Sequence, residues 1–270
     1  MFRFFKFFQN FGATILFIFL ECIAIFLIIR FNKGQSEIFL HSSNEIVSDL
    51  VRQQSKIKQS LDLKEQNDDL LLQNAQLIEE LVNEKIKTTR DSSDVEKKYE
   101  VLPATIINST IHTLNNYITL DKGVKDGLKK SMGVIGDKGI VGVINQVSNK
   151  YSTVISLLNI NLRIAASIKT KEHSGYLTWS GGDYLHYKLN GIPKYANIVI
   201  GDEVITSGYS SIFPKGIKIG RIETYEVIRG GAFYDITVRS YQDLTQTSLV
   251  YVVKNNDFEE INELENLNEN

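Results

Sequence analysis

The chain has 270 residues and a formal net charge of −2, so no global field draws it toward nucleic acid or an acidic substrate, and a nucleic-acid partner is not expected. Its only cysteine, Cys22, excludes an internal disulfide and leaves every other segment without a thiolate. Stability outside a membrane must therefore come from packing, and cysteine usage alone leaves the compartment open.

The chain starts with a short basic and aromatic segment, residues 1–10 (MFRFFKFFQN), whose rings suit a headgroup layer. Residues 11–29 (FGATILFIFLECIAIFLII) follow, apolar apart from Thr14, Glu21 and Cys22. At helical rise this run spans a hydrocarbon core, and it is predicted to be one transmembrane helix. A cleaved signal peptide is the competing reading, but the run is long and no small-residue cleavage site precedes Arg30 and Lys33. Arg3 and Lys6 before the span balance Arg30 and Lys33 after it, so charge does not set the orientation. Glu21 sits near mid-span, where an ionised carboxylate is costly, and is expected to meet a polar group of a partner span.

Residues 37–100 are read as a coiled-coil stalk. The stretch lacks proline, and steps of three and four give an apolar seam of Val47, Leu50, Ile57, Leu61, Leu71, Ala75, Ile78 and Val82. Lys64 and Asp68 interrupt it, and Leu70, Leu77 and Leu81 widen it near the end. A homodimer or higher oligomer through this seam is the expectation. The competing reading is a helix packed on its own globular domain.

From Pro103 the texture changes to short β-branched and aromatic runs broken by glycine, asparagine and aspartate turns, and residues 101–253 are predicted to be an all-β domain. Strands are expected over 104–108, 139–147, 153–158, 162–169, 184–189, 217–223, 233–240 and 248–253. In 184–189, Leu185, Tyr187 and Leu189 share one face and Tyr184, His186 and Lys188 the other. Gly136-Asp137-Lys138-Gly139 suits a hairpin. About a dozen short strands imply a sandwich or two small barrels, because one flat sheet would leave exposed edges. The acidic, asparagine-rich residues 254–270 are expected to be disordered.

Chemistry-bearing patterns are sparse. His41, His112, His173 and His186 show no zinc-type spacing, and Ser207 in ITSGYSS is not a G-x-S-x-G nucleophile elbow. The glycines from Gly123 to Gly142 match no phosphate-binding loop. No catalytic residue, cofactor or metal is predicted.

Two stretches carry a resemblance: DKGVKDGLKKSMGVIGDKGIVGVINQVSNKYSTVISLLNINLRIAASI, and GDEVITSGYSSIFPKGIKIGRI further on. Over Thr119 to Glu223 the chain resembles the rod shape-determining protein MreC family. The resemblance implies a mainly β fold, with an N-terminal transmembrane helix and a coiled-coil helix followed by two small β-barrels. It also implies residues 1–10 in the cytoplasm, and a β domain in the periplasm or outside a bacterial inner membrane. The implied function is a non-enzymatic scaffold of cell-wall elongation. Its implied partners are an MreD-like membrane protein, the actin-like filament, a transpeptidase and a glycosyltransferase. Two rivals share parts of this plan. A periplasmic adaptor of an efflux or secretion pump combines the same parts, but its β sequence should precede the helices. A trypsin-like hydrolase has paired barrels, but fold likeness supplies no site.

Overall fold

The computed structural model describes residues 2–31, 58–59, 62–84, 97–171, 173–227 and 230–268. Two compact units divide the chain, Met1–Asp68 and Asp69–Asn270.

The first unit holds helix α1, Phe2–Phe31. Between Leu16 and Ile28, ten bulky apolar side chains are exposed, and five of them, Leu16 to Leu20, are consecutive. At 3.6 residues per turn, a consecutive run of five surrounds the helix with hydrocarbon. Among the described residues no helix is long and apolar enough to cross a membrane. The side chains of α1 are described for 12–28, which leaves both ends of the expected 11–29 span outside. A second helix, α2, covers 62–84.

The second unit contains two closed antiparallel barrels of six strands each. Barrel 1 is formed by β1 (Tyr99–Ser109), β2 (Asn115–Leu120), β3 (Gly133–Ile135), β4 (Ile140–Val147), β5 (Ser152–Asn159) and β12 (Leu249–Asn255), in the order β1-β12-β3-β4-β5-β2. Barrel 2 is formed by β6 (Ile164–Ile168), β7 (Ser174–Thr178), β8 (His186–Asn190), β9 (Glu203–Thr206), β10 (Lys218–Val227) and β11 (Tyr234–Ser240), in the order β10-β11-β8-β7-β6-β9. Barrel 2 is therefore an insertion between β5 and β12, and barrel 1 closes only when the chain returns.

Alternation drives each strand. In β11, Ile236 and Val238 are fully buried between the more exposed Asp235, Thr237 and Arg239. In β8, Tyr187 and Leu189 point inward while His186 and Lys188 remain partly in water, as the sequence predicted. The Gly136–Gly139 turn joins β3 to β4, with the Gly136 N–H donating to the Gly139 carbonyl at 2.7 Å. Closure leaves neither sheet a free lateral edge along its full length.

The two barrels are docked through specific contacts. Phe213, 1% exposed, projects from barrel 2 onto Gly133 of β3, where a Cβ would stand 2.5 Å from the ring. Gln242, in the return to β12, accepts from the Lys138 N–H at 2.9 Å and donates to Thr247 Oγ1 at 2.8 Å. His112 and the Tyr184 hydroxyl share a hydrogen bond at 3.1 Å, and Asn255 Nδ2 donates to the Ser211 carbonyl at 2.7 Å.

Two expectations are corrected. The stalk was placed as far as Glu100, but β1 starts at Tyr99, because Glu100 faces Lys254 of β12 and forms a 2.8 Å ion pair across that register. The tail 254–270 was expected to be disordered, but β12 extends to Asn255 and helix α3 occupies Phe258–Asn268. Asn255 Oδ1 accepts from the Asp257 N–H at 3.1 Å, and Glu259 and Glu260 sit in the first turn, where carboxylates complement the helix dipole. Glu259 is held by Lys129 of barrel 1 at 2.6 Å.

Candidate docking surfaces

Strand β1 pairs with β12 from Tyr99 onward but with β2 only from Ile106, so its first residues have one unpaired edge. Helix α2 covers that edge. The Asn83 side chain accepts from the Tyr99 N–H at 3.1 Å and donates to the Tyr99 carbonyl at 2.8 Å, in the manner of a neighbouring strand. The Val101 N–H donates to Glu79 Oε2 at 3.1 Å, and Lys97 donates to Glu79 Oε1 at 2.9 Å. Backbone groups that would otherwise be orphaned are thereby satisfied. Beneath these bonds Ala75 and Val82 are buried in the core, and Leu71 and Ile78 pack against it.

The sequence had placed Leu71, Ala75, Ile78 and Val82 in an intermolecular seam; within the single chain all four face barrel 1, which is the competing reading for this half of the helix. Val47, Leu50, Ile57 and Leu61 lie outside the described residues. Glu21 sits exposed on α1.

A second surface lies on barrel 2. The connection from β8 to β9 runs beside the β10–β11 hairpin. It is tied there by the Tyr234 N–H to the Ile192 carbonyl at 2.9 Å, Lys194 N–H to Ala232 at 3.1 Å and Gly201 N–H to Ile222 at 2.8 Å. This connection presents Tyr195, Val199 and Ile200 to solvent at 84%, 54% and 63% exposure, and the hairpin adds Val227 and Phe233. These exposed apolar residues lie on one connection and on the hairpin it is tied to, and grouped exposed apolar residues mark an interaction site more often than singly scattered ones do. Sequence reading missed this surface, because residues such as IVI in 198–200 carry the same signal as a buried strand. Only the neighbouring turn glycines, Gly191 and Gly201, hinted at a loop.

The described histidines, His112, His173 and His186, are engaged in other contacts. His186 lies between Asp183, 3.1 Å from Nδ1, and Glu223, 2.5 Å from Nε2, so carboxylates occupy both ring nitrogens. Arg239 stands 3.6 Å from the same Glu223. Asp183 is held below the usual carboxylate range, chiefly by the Leu185 N–H and then by His186. His173 meets the Tyr195 ring edge-on, and His41 lies outside the described residues. Ser207, 6% exposed, accepts from the Tyr209 N–H. Among the described residues no group of three histidine, cysteine or acidic side chains is arranged to hold a metal.

Two closed six-stranded barrels, one inserted into the other and one bearing a helix along its edge, define a paired-barrel protein. The barrel-core description of the family "Rod shape-determining protein MreC" matches residues 106–254, more than half of the chain, and the chain belongs to that family. The cell shape-determining protein MreC of Listeria monocytogenes is 28% identical over 175 residues, covering 64% of this chain and 59% of that protein. The chain thus spans somewhat over half of the relative's length. A solved Listeria MreC structure is similar with a TM-score of 0.57 and 26% identity, covering 79% of this chain and 96% of that one. A solved complex between penicillin-binding protein PBP2 and MreC from Helicobacter pylori contains a chain 18% identical, with a TM-score of 0.48, covering 58% of this chain and all of that one.

Proposed function

We propose that the protein is a membrane-anchored scaffold of the bacterial cell-wall elongation machinery, which maintains cell shape by binding and positioning peptidoglycan-synthesis proteins. Membership in the MreC family carries this reading, and the apolar surface of barrel 2 gives it a physical means. The partner class is a penicillin-binding transpeptidase, the kind of protein named in the Helicobacter complex. A glycosyltransferase, an MreD-like membrane protein and the actin-like filament belong to the same proposal.

In this reading α1 is a single anchor with residues 1–10 in the cytoplasm and both barrels in the periplasm or outside the cell. The exposed hydrocarbon around α1 favours lipid over water, at roughly 1.5–3 kcal/mol for each large side chain removed from water. The stalk self-associates. In the same reading the protein is not an enzyme, which is supported by its three described histidines facing carboxylates, a tyrosine hydroxyl and an aromatic ring rather than a nucleophile.

Depletion of the protein with pulse labelling by fluorescent D-amino acids tests the reading. Sidewall incorporation should become delocalised and cell shape should change while drug efflux is unaffected. Normal incorporation with impaired efflux would favour a pump adaptor instead.

A further inference from the structure

Strand β10 outruns its neighbour in barrel 2. It pairs with β9 only over Lys218–Arg221, and the last bonds on that side join Ile222 to Gly201 and Asp202 at 2.8 and 2.9 Å. There the chain turns away through 199–202. The Asp202 N–H donates to the Val199 carbonyl at 3.1 Å, the Val199 N–H donates to Asp202 Oδ2 at 2.9 Å, and Gly201 supplies a φ of 94°. Residues 223–227 continue along β11 with no strand on their other side among the described residues. The direction of their backbone groups follows from the register. Tyr234 directs its N–H to the Ile192 carbonyl, away from β10, so Val227 opposite it points its own N–H and C=O away from β11, and Tyr225, two residues back, does the same. The donors and acceptors of Tyr225 and Val227 thus stand in a row on an open edge.

We propose that this edge takes up an extended segment of a partner protein as an added strand, with a basic residue opposite Glu226 and apolar residues opposite Tyr225 and Val227. An extended backbone offers acceptors and donors at the spacing of Tyr225 and Val227, which a helix does not. The side chains set the chemistry of the occupant. Tyr225 and Val227 lie opposite Ile236 and Tyr234, on the face that lines the barrel, yet past the end of β9 they are 36% and 54% exposed. Tyr225 meets Tyr234 edge-on at 5.4 Å, which leaves an apolar floor for a neighbouring side chain. On the other face Glu226 stands directly opposite Asp235, a like-charge pair that is unfavourable across a ladder. Lys188 neutralises Asp235 at 2.7 Å, and Glu223 is engaged by His186 and Arg239, but no cation is within ion-pair distance of Glu226 among the described residues. The next strand position is where a cation would relieve it. The site adjoins the exposed Val199 and Ile200 but differs from that patch in requiring a paired backbone. The proposal rests on the docking role put forward for barrel 2 and gives it a backbone-directed site.

Full-length protein in detergent tests this with fluorescent cyclic β-hairpin peptides whose outward edge alternates valine with lysine, or valine with glutamate, and binding is followed by anisotropy. The lysine peptide should bind at least about threefold more tightly than the glutamate peptide, and Glu226→Lys should reverse that order. Val227→Pro removes an edge N–H that takes no part in the β10–β11 ladder, a place where a strand tolerates proline, so it should abolish binding of both peptides while far-UV circular dichroism is retained. Val227→Thr, which keeps the N–H and the β-branched shape, should retain binding within about threefold. If the proline variant does not fold, the reversal by Glu226→Lys decides alone. Equal binding of the two peptides, or binding unchanged by Val227→Pro, would overturn the proposal. No binding of either peptide would overturn it too, and would show an edge guarded by its charges and by the bulge at 222–224. Binding is read apart from any cell-wall enzyme, so a failed edge leaves the scaffold reading standing, and a failure to capture a penicillin-binding protein would overturn that reading without changing the peptide result.

Discussion

At the scale of single residues, glycines set how closely backbones approach. A Cβ on Gly142 would lie 2.2 Å from the Ile155 carbonyl oxygen of the neighbouring strand, a contact with backbone that cannot rotate away. Gly142→Ala should therefore destabilise the folded protein by about 1–3 kcal/mol, read as a lower thermal midpoint. The strand expected over 139–147 contains this glycine and β4 includes it, but no pattern in one strand shows how near the next will pass. Tyr99 gives a second test. Burial, with a smaller effect of Asp257, pushes its phenol up to about 12. The folded protein thus holds this proton more tightly than the unfolded chain, whose tyrosines ionise near 10. The stabilisation is present below pH 10 and is lost as pH rises from about 10 to 12. Spectrophotometric titration should find Tyr99 still protonated at about pH 11, alongside Tyr187, which is buried and shifted in the same direction. A Tyr99→Phe variant should show no loss of late-titrating signal beyond that one group.

At the scale of elements, helix α2 shows why periodicity identifies a helix more readily than its neighbours. The sequence shows an apolar stripe widened by Leu70, Leu77 and Leu81, but the division of that stripe into buried and exposed residues depends on barrel 1, whose position no local pattern encodes. Asn83 and Glu79 were unremarkable in the sequence for the same reason: their role is to complete the β1 edge. Asn83→Ala should cost about 1–3 kcal/mol by leaving Tyr99 backbone groups unpaired, and hydrogen exchange should quicken at residues 99–101. Amides of β4 and β5, on the other side of the barrel, should keep their protection. If exchange at 99–101 does not change, the helix does not satisfy that edge. The tail makes the opposite point. Its acidic composition suggested disorder, but Lys129 and the β12 end at Asn255 give it a place to start a helix.

At the scale of the whole molecule, the mainly β class and the paired barrels were legible from strand count, turn chemistry and the family resemblance. The insertion of barrel 2 between β5 and β12 was not, since β12 looks like any other strand until it pairs with β1 and β3. The insertion has a structural consequence. Two connections cross between the barrels, and Phe213, Gln242 and Asn255 pin them, so the apolar face of barrel 2 is presented at a fixed attitude to barrel 1. A rigid display of this kind suits a protein that positions others. The most direct test of that role is affinity capture of the full-length protein from solubilised membranes, with the bound fraction probed by a fluorescent β-lactam. A scaffold of cell-wall elongation should recover a labelled penicillin-binding transpeptidase, and Tyr195→Asp combined with Ile200→Asp should reduce that recovery several-fold without unfolding the barrels. A bound fraction that contains pump components and no penicillin-binding protein would contradict the account.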